Sequence, residues 1–252
     1  GSTNLLIRGG GGADSLFGGS GADTLDGSVS SAGQRLMGRG GVDSIVGGSG
    51  SDTLVGGANN DTLDGGAGTG DLADYTYTTS VTVDLSAARA TVTASDVDVL
   101  VNIENVLGTS GADTIAGDGG ANSISAGLGF DTLAGGFGND TLDGGGDADV
   151  AVYAYAGGAQ TLVLSGGSTA TLSAGAGDMD RLVNIEAVEG GAGADSISGA
   201  GLTVAMRLAG GAGTDTLSGG SGADTLDGGA DVDWADYSAA AITLTAAGAS
   251  VL

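Results

Sequence analysis

Residues 9–26 read GGGGADSLF followed at once by GGSGADTLD, two nine-residue units with glycine first and second, aspartate sixth and a large apolar residue eighth. The unit GGxGxDxUx, with U apolar, returns as GRGGVDSIV from Gly38, GGSGSDTLV from Gly47 and GGANNDTLD from Gly56. It recurs from Gly108, Gly117, Ala126 and Gly135, and again from Gly190, Gly210 and Gly219. Self-similarity at a fixed period marks a repeat architecture in which one short unit stacks on the next. The six glycine-rich residues suit a tight turn with positive φ angles, and the last three suit a short strand with one side chain pointing inward. If two units complete one coil, same-side strands stack at about 4.8 Å and the two sheets face each other about 10 Å apart. The pattern therefore predicts an all-β chain of parallel β-roll or β-helix blocks. Leu16, Leu25, Ile45, Leu54, Leu63, Ile115, Leu133, Leu142, Ile197, Leu217 and Leu226 line its narrow core.

Working outward, three repeat blocks are expected at 1–74, 108–152 and 190–236, with spacers at 75–107 and 153–189 and a truncated spacer at 237–252. Each spacer opens at a tyrosine (ADYTYTT, VAVYAYA, ADYSAAA) and continues with alternating apolar residues around a small-residue break, the pattern of a β-hairpin. The first two close on LVNIENV (100–106) and LVNIEAV (182–188). A larger unit of about 80 residues is thus itself repeated. Two eleven-residue variants, 27–37 and 199–209, lack the sixth-position aspartate. An insertion of two keeps strand parity, so Leu36 and Leu208 should still face inward. Tyr75, Tyr153, Tyr237 and Trp234 fall where blocks meet spacers and are expected to cap the ends of the rolls. The chain begins inside a repeat block and ends inside a spacer, as an excerpt from a longer array would.

Composition narrows the chemistry. Glycine supplies 55 of 252 residues, about a fifth against roughly 7% in an ordinary chain. There is no proline, cysteine or histidine, and the six basic residues are all arginine. Zinc proteases, Ser-His-Asp hydrolases and cysteine enzymes are excluded for want of their side chains. The formal charge of −25 disfavours nucleic acid and anionic membrane as partners. No apolar run approaches the eighteen or so residues of a membrane span, and the N-terminus does not read as a signal peptide. Without cysteine no disulfide can staple the small core, so stabilisation beyond packing has to come from elsewhere, with bound metal the obvious candidate.

The aspartates say which metal. Stacked coils pile the sixth-position carboxylates along each edge of the roll. Two charges about 4.8 Å apart repel by roughly 3.5 kcal/mol at an effective dielectric of 20. A ladder of them opens unless cations sit between, and oxygen-only ligands select a hard cation. Carboxylates with glycine-loop carbonyls can supply the six to eight oxygens of Ca²⁺ better than the water-keeping octahedron of Mg²⁺.

On these motifs, GGSGADTLD and GGFGNDTLD above all, the chain resembles the RTX (repeats-in-toxin) family, and its tyrosine-to-LVNIE spacers are similar to those between RTX repeat blocks. The resemblance covers about two-thirds of the chain and implies that each ion is held by one loop and the loop two units later. It pairs Asp23 with Asp43, Asp43 with Asp61, Asp113 with Asp131, Asp131 with Asp149, Asp195 with Asp215, Asp215 with Asp233, and Asp140 with Asn122. Asp14, Asp52 and Asp224 complete the set and face variant loops or block ends. With roughly 7–10 Ca²⁺ the net charge falls to about −5 to −11, the range of a soluble surface. The resemblance further implies export by a type I system, folding outside the cell, and no catalytic residue in this chain. A calcium-dependent segment of a secreted bacterial surface protein, of S-layer or adhesin type and able to self-associate, is the leading expectation. An accessory module of a secreted RTX toxin or exoenzyme is the alternative.

Overall fold

The computed structural model describes residues 3–154, 159–166, 169–174, 179–236 and 242–244. Strands are the only regular elements longer than a turn among them, and the chain divides into two compact units, 1–118 with 122–127, and 119–121 with 128–252.

In the first unit the strands are β1 (Leu6–Arg8), β2 (Ser15–Phe17), β3 (Thr24–Asp26), β4 (Arg35–Gly40), β5 (Ser44–Gly48), β6 (Thr53–Ala58), β7 (Thr62–Gly66), β8 (Leu72–Asp74), β9 (Thr82–Asp84), β10 (Arg89–Thr93), β11 (Asp96–Val101), β12 (Asn105–Leu107), β13 (Thr114–Ala116) and β14 (Ser123–Leu128). They alternate between two sheets, ordered β1-β3-β5-β7-β11-β10-β9-β13 and β2-β4-β6-β8-β12-β14. Repeat strands pair in parallel at an offset of eighteen, Leu6 opposite Thr24, or twenty where a coil carries the two-residue insertion, Thr24 opposite Ser44. Because the inserted pair preserves parity, Leu36 and Leu208 are buried with the regular leucines. Every predicted core leucine and isoleucine is buried, each contributing about 1.5–3 kcal/mol by leaving water.

The spacer interrupts this stack with a three-stranded antiparallel excursion. β9 pairs with β10 and β10 with β11, while β11 and β9 rejoin the parallel stack at Leu100 opposite Leu63 and Val83 opposite Ile115. The expected hairpin gains a third strand because Asp96–Val101 runs straight into the LVNIE box.

The second unit contains β15 (Thr132–Ala134), β16 (Thr141–Gly146), β17 (Val150–Val152), β18 (Thr161–Gly166), β19 (Thr169–Ala174), β20 (Met179–Val183), β21 (Ala187–Ala192), β22 (Ser196–Leu202), β23 (Arg207–Ala212), β24 (Thr216–Ser218), β25 (Asp224–Ala230), β26 (Trp234–Asp236) and β27 (Ile242–Leu244). Its sheets run β15-β17-β21-β23-β25-β27 and β16-β20-β19-β18-β22-β24-β26, and the antiparallel excursion is β18-β19-β20.

The loop geometry explains the glycines of the motif. In most loops the second and fourth positions lie in the left-handed region, as at Gly57 (φ 110°) and Gly41 (φ 116°), whereas in the GGSG loops Gly19, Gly21, Gly48, Gly50, Gly220 and Gly222 do not. At Gly57 and Gly41 a side chain would also strike the backbone of the neighbouring coil. Where the fourth residue is not glycine it is Asn59, Asp147 or Asp231, the types that tolerate this conformation. Arg39 is the exception at a second position, with φ 81°. Its guanidinium lies 5.4 Å from the centre of the Phe17 ring and donates to the carbonyl of Gly18 at 3.2 Å.

Candidate metal centre

Each sixth-position aspartate directly precedes a strand or, at Asp224, opens one, so coil stacking lines the aspartates up along the edges of the sheets. One carboxylate oxygen, Oδ1, is taken by the backbone of the coil before. In the first unit Leu5 N–H donates to Asp23 at 2.7 Å, Asp23 N–H to Asp43 at 2.7 Å, Asp43 N–H to Asp61 at 2.8 Å and Asp61 N–H to Asp98 at 2.8 Å. On the other edge Gln34 N–H donates to Asp52 at 2.7 Å, Asp52 N–H to Asp71 at 2.7 Å, and Asp71 N–H to Glu104 Oε2 at 3.0 Å. The second unit repeats the device, with Asp131 donating to Asp149 at 2.8 Å and Asp149 to Glu186 Oε2 at 2.9 Å. Asp140 donates to Asp180 at 2.9 Å, Asp195 to Asp215 at 2.7 Å, Asp215 to Asp233 at 3.0 Å, and the main chain of Met206 to Asp224 at 3.0 Å.

The other oxygen decides what the ladder can do. In Asp52 and Asp224 it accepts a loop N–H, from Gly48 at 2.6 Å and Gly220 at 2.7 Å, and in Asp23 it accepts from Gly19. Asp113 likewise accepts from Thr109 N–H at 2.7 Å. In Asp14, Asp43, Asp61, Asp71, Asp149, Asp195, Asp215 and Asp233 the Oδ2 atom is buried and has no hydrogen-bond partner. Each of these oxygens faces the first glycine of its own loop. A Cβ added to Gly9 would lie 2.7 Å from Asp14 Oδ2, and one on Gly56 or Gly190 2.5 Å from that of Asp61 or Asp195. At Gly190 the carbonyl of Gly210, on the next coil, comes within 2.9 Å of the same point. The first glycine thus keeps open a cradle lined by a carboxylate oxygen and carbonyls.

An unpartnered buried carboxylate oxygen costs several kcal/mol unless it is protonated or meets a cation. Burial is the main reason that the Asp61 carboxyl is pushed up to about 8, with the charges of Asp98, Asp43 and Asp96 adding to it. Burial also raises Asp71, Asp98 and Asp149 to about 6, and shifts Asp43, Asp113 and Asp215 upward. Arginine does not supply the missing charge. The ion pairs among the described residues are Arg8 with Asp26, Arg35 with Asp74 and Arg207 with Asp227, all away from the ladders. Among the described residues no three acidic side chains converge on one point. An ion would have to complete its shell with the loop carbonyls, which suits an oxygen-seeking hard cation.

Within the units, the structure brings Asp23, Asp43 and Asp61 together in one ladder, Asp131 with Asp149, and Asp195, Asp215 and Asp233 in another. The pairings of Asp113 with Asp131 and of Asn122 with Asp140 take one residue from each unit. Asn122 uses both ends of its amide, Oδ1 accepting from Asp118 N–H and Nδ2 donating to the Glu104 carbonyl, each at 2.9 Å. Asp14 and Asp52 flank the variant coil at Gln34, whose amide donates to the Gly27 carbonyl at 2.9 Å.

Asp71, Asp98, Glu104, Asp180 and Glu186 also belong to the ladders and were not among the expected ligands. A signal existed, since Asp98-Val99-Leu100 and Asp180-Arg181-Leu182 repeat the D-x-L of the nonapeptide, and Asp71 follows a loop one residue too long. The tyrosines at the block ends are more than caps. Tyr75 and Tyr153 are fully buried, and their hydroxyls donate to Asp98 Oδ2 at 3.0 Å and Asp180 Oδ2 at 2.8 Å, a neutral proton where other rungs are bare. Trp234, expected to cap in the same way, is 65% exposed, because it pairs with the outward-facing Thr216. Tyr237 lies outside the described residues.

No individual curated protein matches the chain. The family described as the RTX calcium-binding nonapeptide repeat (4 copies) matches residues 6–29, 37–72, 103–133, 125–151, 185–201 and 207–235, more than half of the sequence. Given a parallel β-roll whose glycine loops cradle bare carboxylate oxygens, the chain belongs to the RTX calcium-binding repeat family, and its repeats bind several calcium ions.

Proposed function

We propose that this chain is a calcium-triggered structural and assembly segment of a secreted bacterial surface protein, of S-layer or adhesin type. The observation that carries the reading is the row of buried Oδ2 atoms without a partner on the ladder aspartates. Such a roll is electrostatically incomplete without cations and complete with them, so folding follows calcium concentration. Below roughly micromolar calcium the chain stays expanded, and at the millimolar calcium outside cells it folds. The proposed ligands are the carboxylates of Asp14, Asp23, Asp43, Asp52, Asp61, Asp113, Asp131, Asp140, Asp149, Asp195, Asp215, Asp224 and Asp233, with Asn122 as a neutral rung. Those with bare Oδ2 atoms form the tighter sites. A −25 charge keeps the unfolded chain soluble during export. Self-association would cover the exposed apolar side chains of Phe130, Phe137 and Trp234 in the second unit. No catalytic role is assigned.

The test is a calcium titration followed together by far-UV circular dichroism and light scattering, with magnesium as control. A coil-to-β transition that requires calcium, with scattering rising in step, is the expected result. Folding to a monodisperse monomer would favour an accessory module of a larger toxin or exoenzyme, and no response to calcium would end both readings.

A further inference from the structure

The nonapeptide motif assigns no role to the LVNIE boxes, yet each lies against the last loop of the preceding repeats. Asp71 is fully buried; its Oδ1 accepts from Asp52 N–H, and its Oδ2 has no partner. That bare oxygen is aimed into a cradle between two glycines, since a Cβ added to Gly65 or to Gly68 would lie 2.7 Å from it. The other wall of the cradle at Gly65 is not a repeat loop but the backbone carbonyl of Asn102. Asn102 takes the left-handed conformation (φ 49°), and its side chain donates to Asp64 at 2.9 Å. Two residues on, Glu104 holds Asp71 from both sides. Its Oε2 accepts Asp71 N–H at 3.0 Å, and its own N–H donates to the Asp71 carbonyl at 3.2 Å.

The second unit contains the same arrangement in full. Asp149 is fully buried with a bare Oδ2, and a Cβ on Gly144 would strike both that oxygen and the carbonyl of Asn184. Asn184 has φ 50° and donates to Asp143 at 2.8 Å. Glu186 Oε2 accepts Asp149 N–H at 2.9 Å, and Glu186 N–H donates to the Asp149 carbonyl at 3.1 Å. In a repeat the corresponding wall is the carbonyl of a first-position glycine, such as Gly210 facing Gly190. Asn102 and Asn184 therefore stand where that glycine stands, and Glu104 and Glu186 stand where the next aspartate stands.

We infer that each LVNIE box is a ligand-bearing element that closes a divalent-cation site of its own. One site is formed by the Asp71 and Glu104 carboxylates with the Asn102 carbonyl, the other by Asp149 and Glu186 with the Asn184 carbonyl. The inference rests on the calcium-binding roll proposed above and adds two sites that the nonapeptide pairing does not count. It also gives the spacers a purpose, because an ion at this junction ties the antiparallel excursion to the roll before it.

The experiment counts calcium ions bound per chain, by equilibrium dialysis of the whole protein against calcium alone, in the wild type and in Glu104→Gln/Glu186→Gln. Glutamine keeps an acceptor for the aspartate N–H, so a purely structural role leaves the count unchanged. The expected result is two fewer ions in the double variant and one fewer in either single variant, with circular dichroism at saturating calcium as in the wild type. An unchanged count overturns the inference, and the single variants decide the matter if the double variant does not fold. A wild type that binds no calcium at all would instead remove the roll reading itself.

Discussion

Replacing Asp43 by asparagine should have opposite effects with and without calcium. Asp43 is 3% exposed and stands between two other carboxylates, its Oδ1 holding Asp23 N–H at 2.7 Å and its own N–H donating to Asp61 at 2.8 Å. Asparagine keeps both hydrogen bonds and removes only the charge. With rungs about 4.8 Å apart, each neighbouring pair repels by roughly 3.5 kcal/mol at an effective dielectric of 20. Two such terms set an upper bound of about 7 kcal/mol, which salt reduces, on the relief that Asp43→Asn brings to the calcium-free roll. In calcium the sign reverses. Each site saturated at 100 times its Kd contributes about 2.7 kcal/mol, so weakening the two pairs that share Asp43 costs up to about 5 kcal/mol. The assay is far-UV circular dichroism during thermal unfolding, in chelator and at a series of free calcium concentrations. Asp43→Asn should gain residual β-structure in chelator and lose Tm in millimolar calcium. Asp26→Asn is the control: Asp26 sits on the outer face, held by the Ser28 hydroxyl at 2.6 Å and by Arg8, and should change stability by no more than about 1 kcal/mol in either condition. A shift of the same sign with and without calcium, or an equal response from Asp26→Asn, would refute the ladder argument.

Three further outcomes are expected. Asp61, Asp71, Asp98 and Asp149 have pKa values raised by burial above 3.8, to about 8 for the first and about 6 for the others. Their contribution favours the calcium-free roll below about pH 4 and is lost as pH rises through about 6 to 8. Calcium-free protein should therefore gain β-structure on acidification, and circular dichroism showing no gain between pH 8 and pH 4.5 would count against the buried ladder. Tyr75→Phe strands Asp98 Oδ2 in a fully buried site and should cost about 1–3 kcal/mol by urea unfolding at fixed calcium; an unchanged midpoint would mean the hydroxyl does not hold that rung. Gly65→Ala drives a Cβ into the Asn102 carbonyl and Asp71, and should cost about 1–3 kcal/mol and raise the calcium midpoint. Gly40→Ala, with nothing within 4 Å of the new atom, should stay within about 0.5 kcal/mol, and equal effects would show that the cradle is not constrained.

The architecture was legible in the residues alone, because a nine-residue period couples three things that physics lets coexist in few ways. Glycines at the second and fourth positions permit the left-handed turn, the eighth residue faces inward by strand parity, and stacking brings the sixth-position carboxylates into line. Even the two-residue insertions before Leu36 and Leu208 were legible, since parity survives them. The chemistry of the ladder followed from the absence of any side chain but carboxylates to occupy it. Where the ladder continues once the period fails is set by the folded chain alone. Asp61 meets Asp98 at a separation of 37 residues and Asp140 meets Asp180 at 40, distances that no repeat unit predicts. They depend on how the antiparallel excursion returns to register, at Leu100 opposite Leu63 and Leu182 opposite Leu142. Nor does the motif distinguish Asp52, whose second oxygen takes the Gly48 amide, from Asp43, whose second oxygen has none. Both carry the same aspartate at the same position, but the second loop residue is left-handed before Asp43 (Arg39, φ 81°) and not before Asp52 (Gly48), and that difference in backbone conformation selects between a satisfied carboxylate and one that needs a cation.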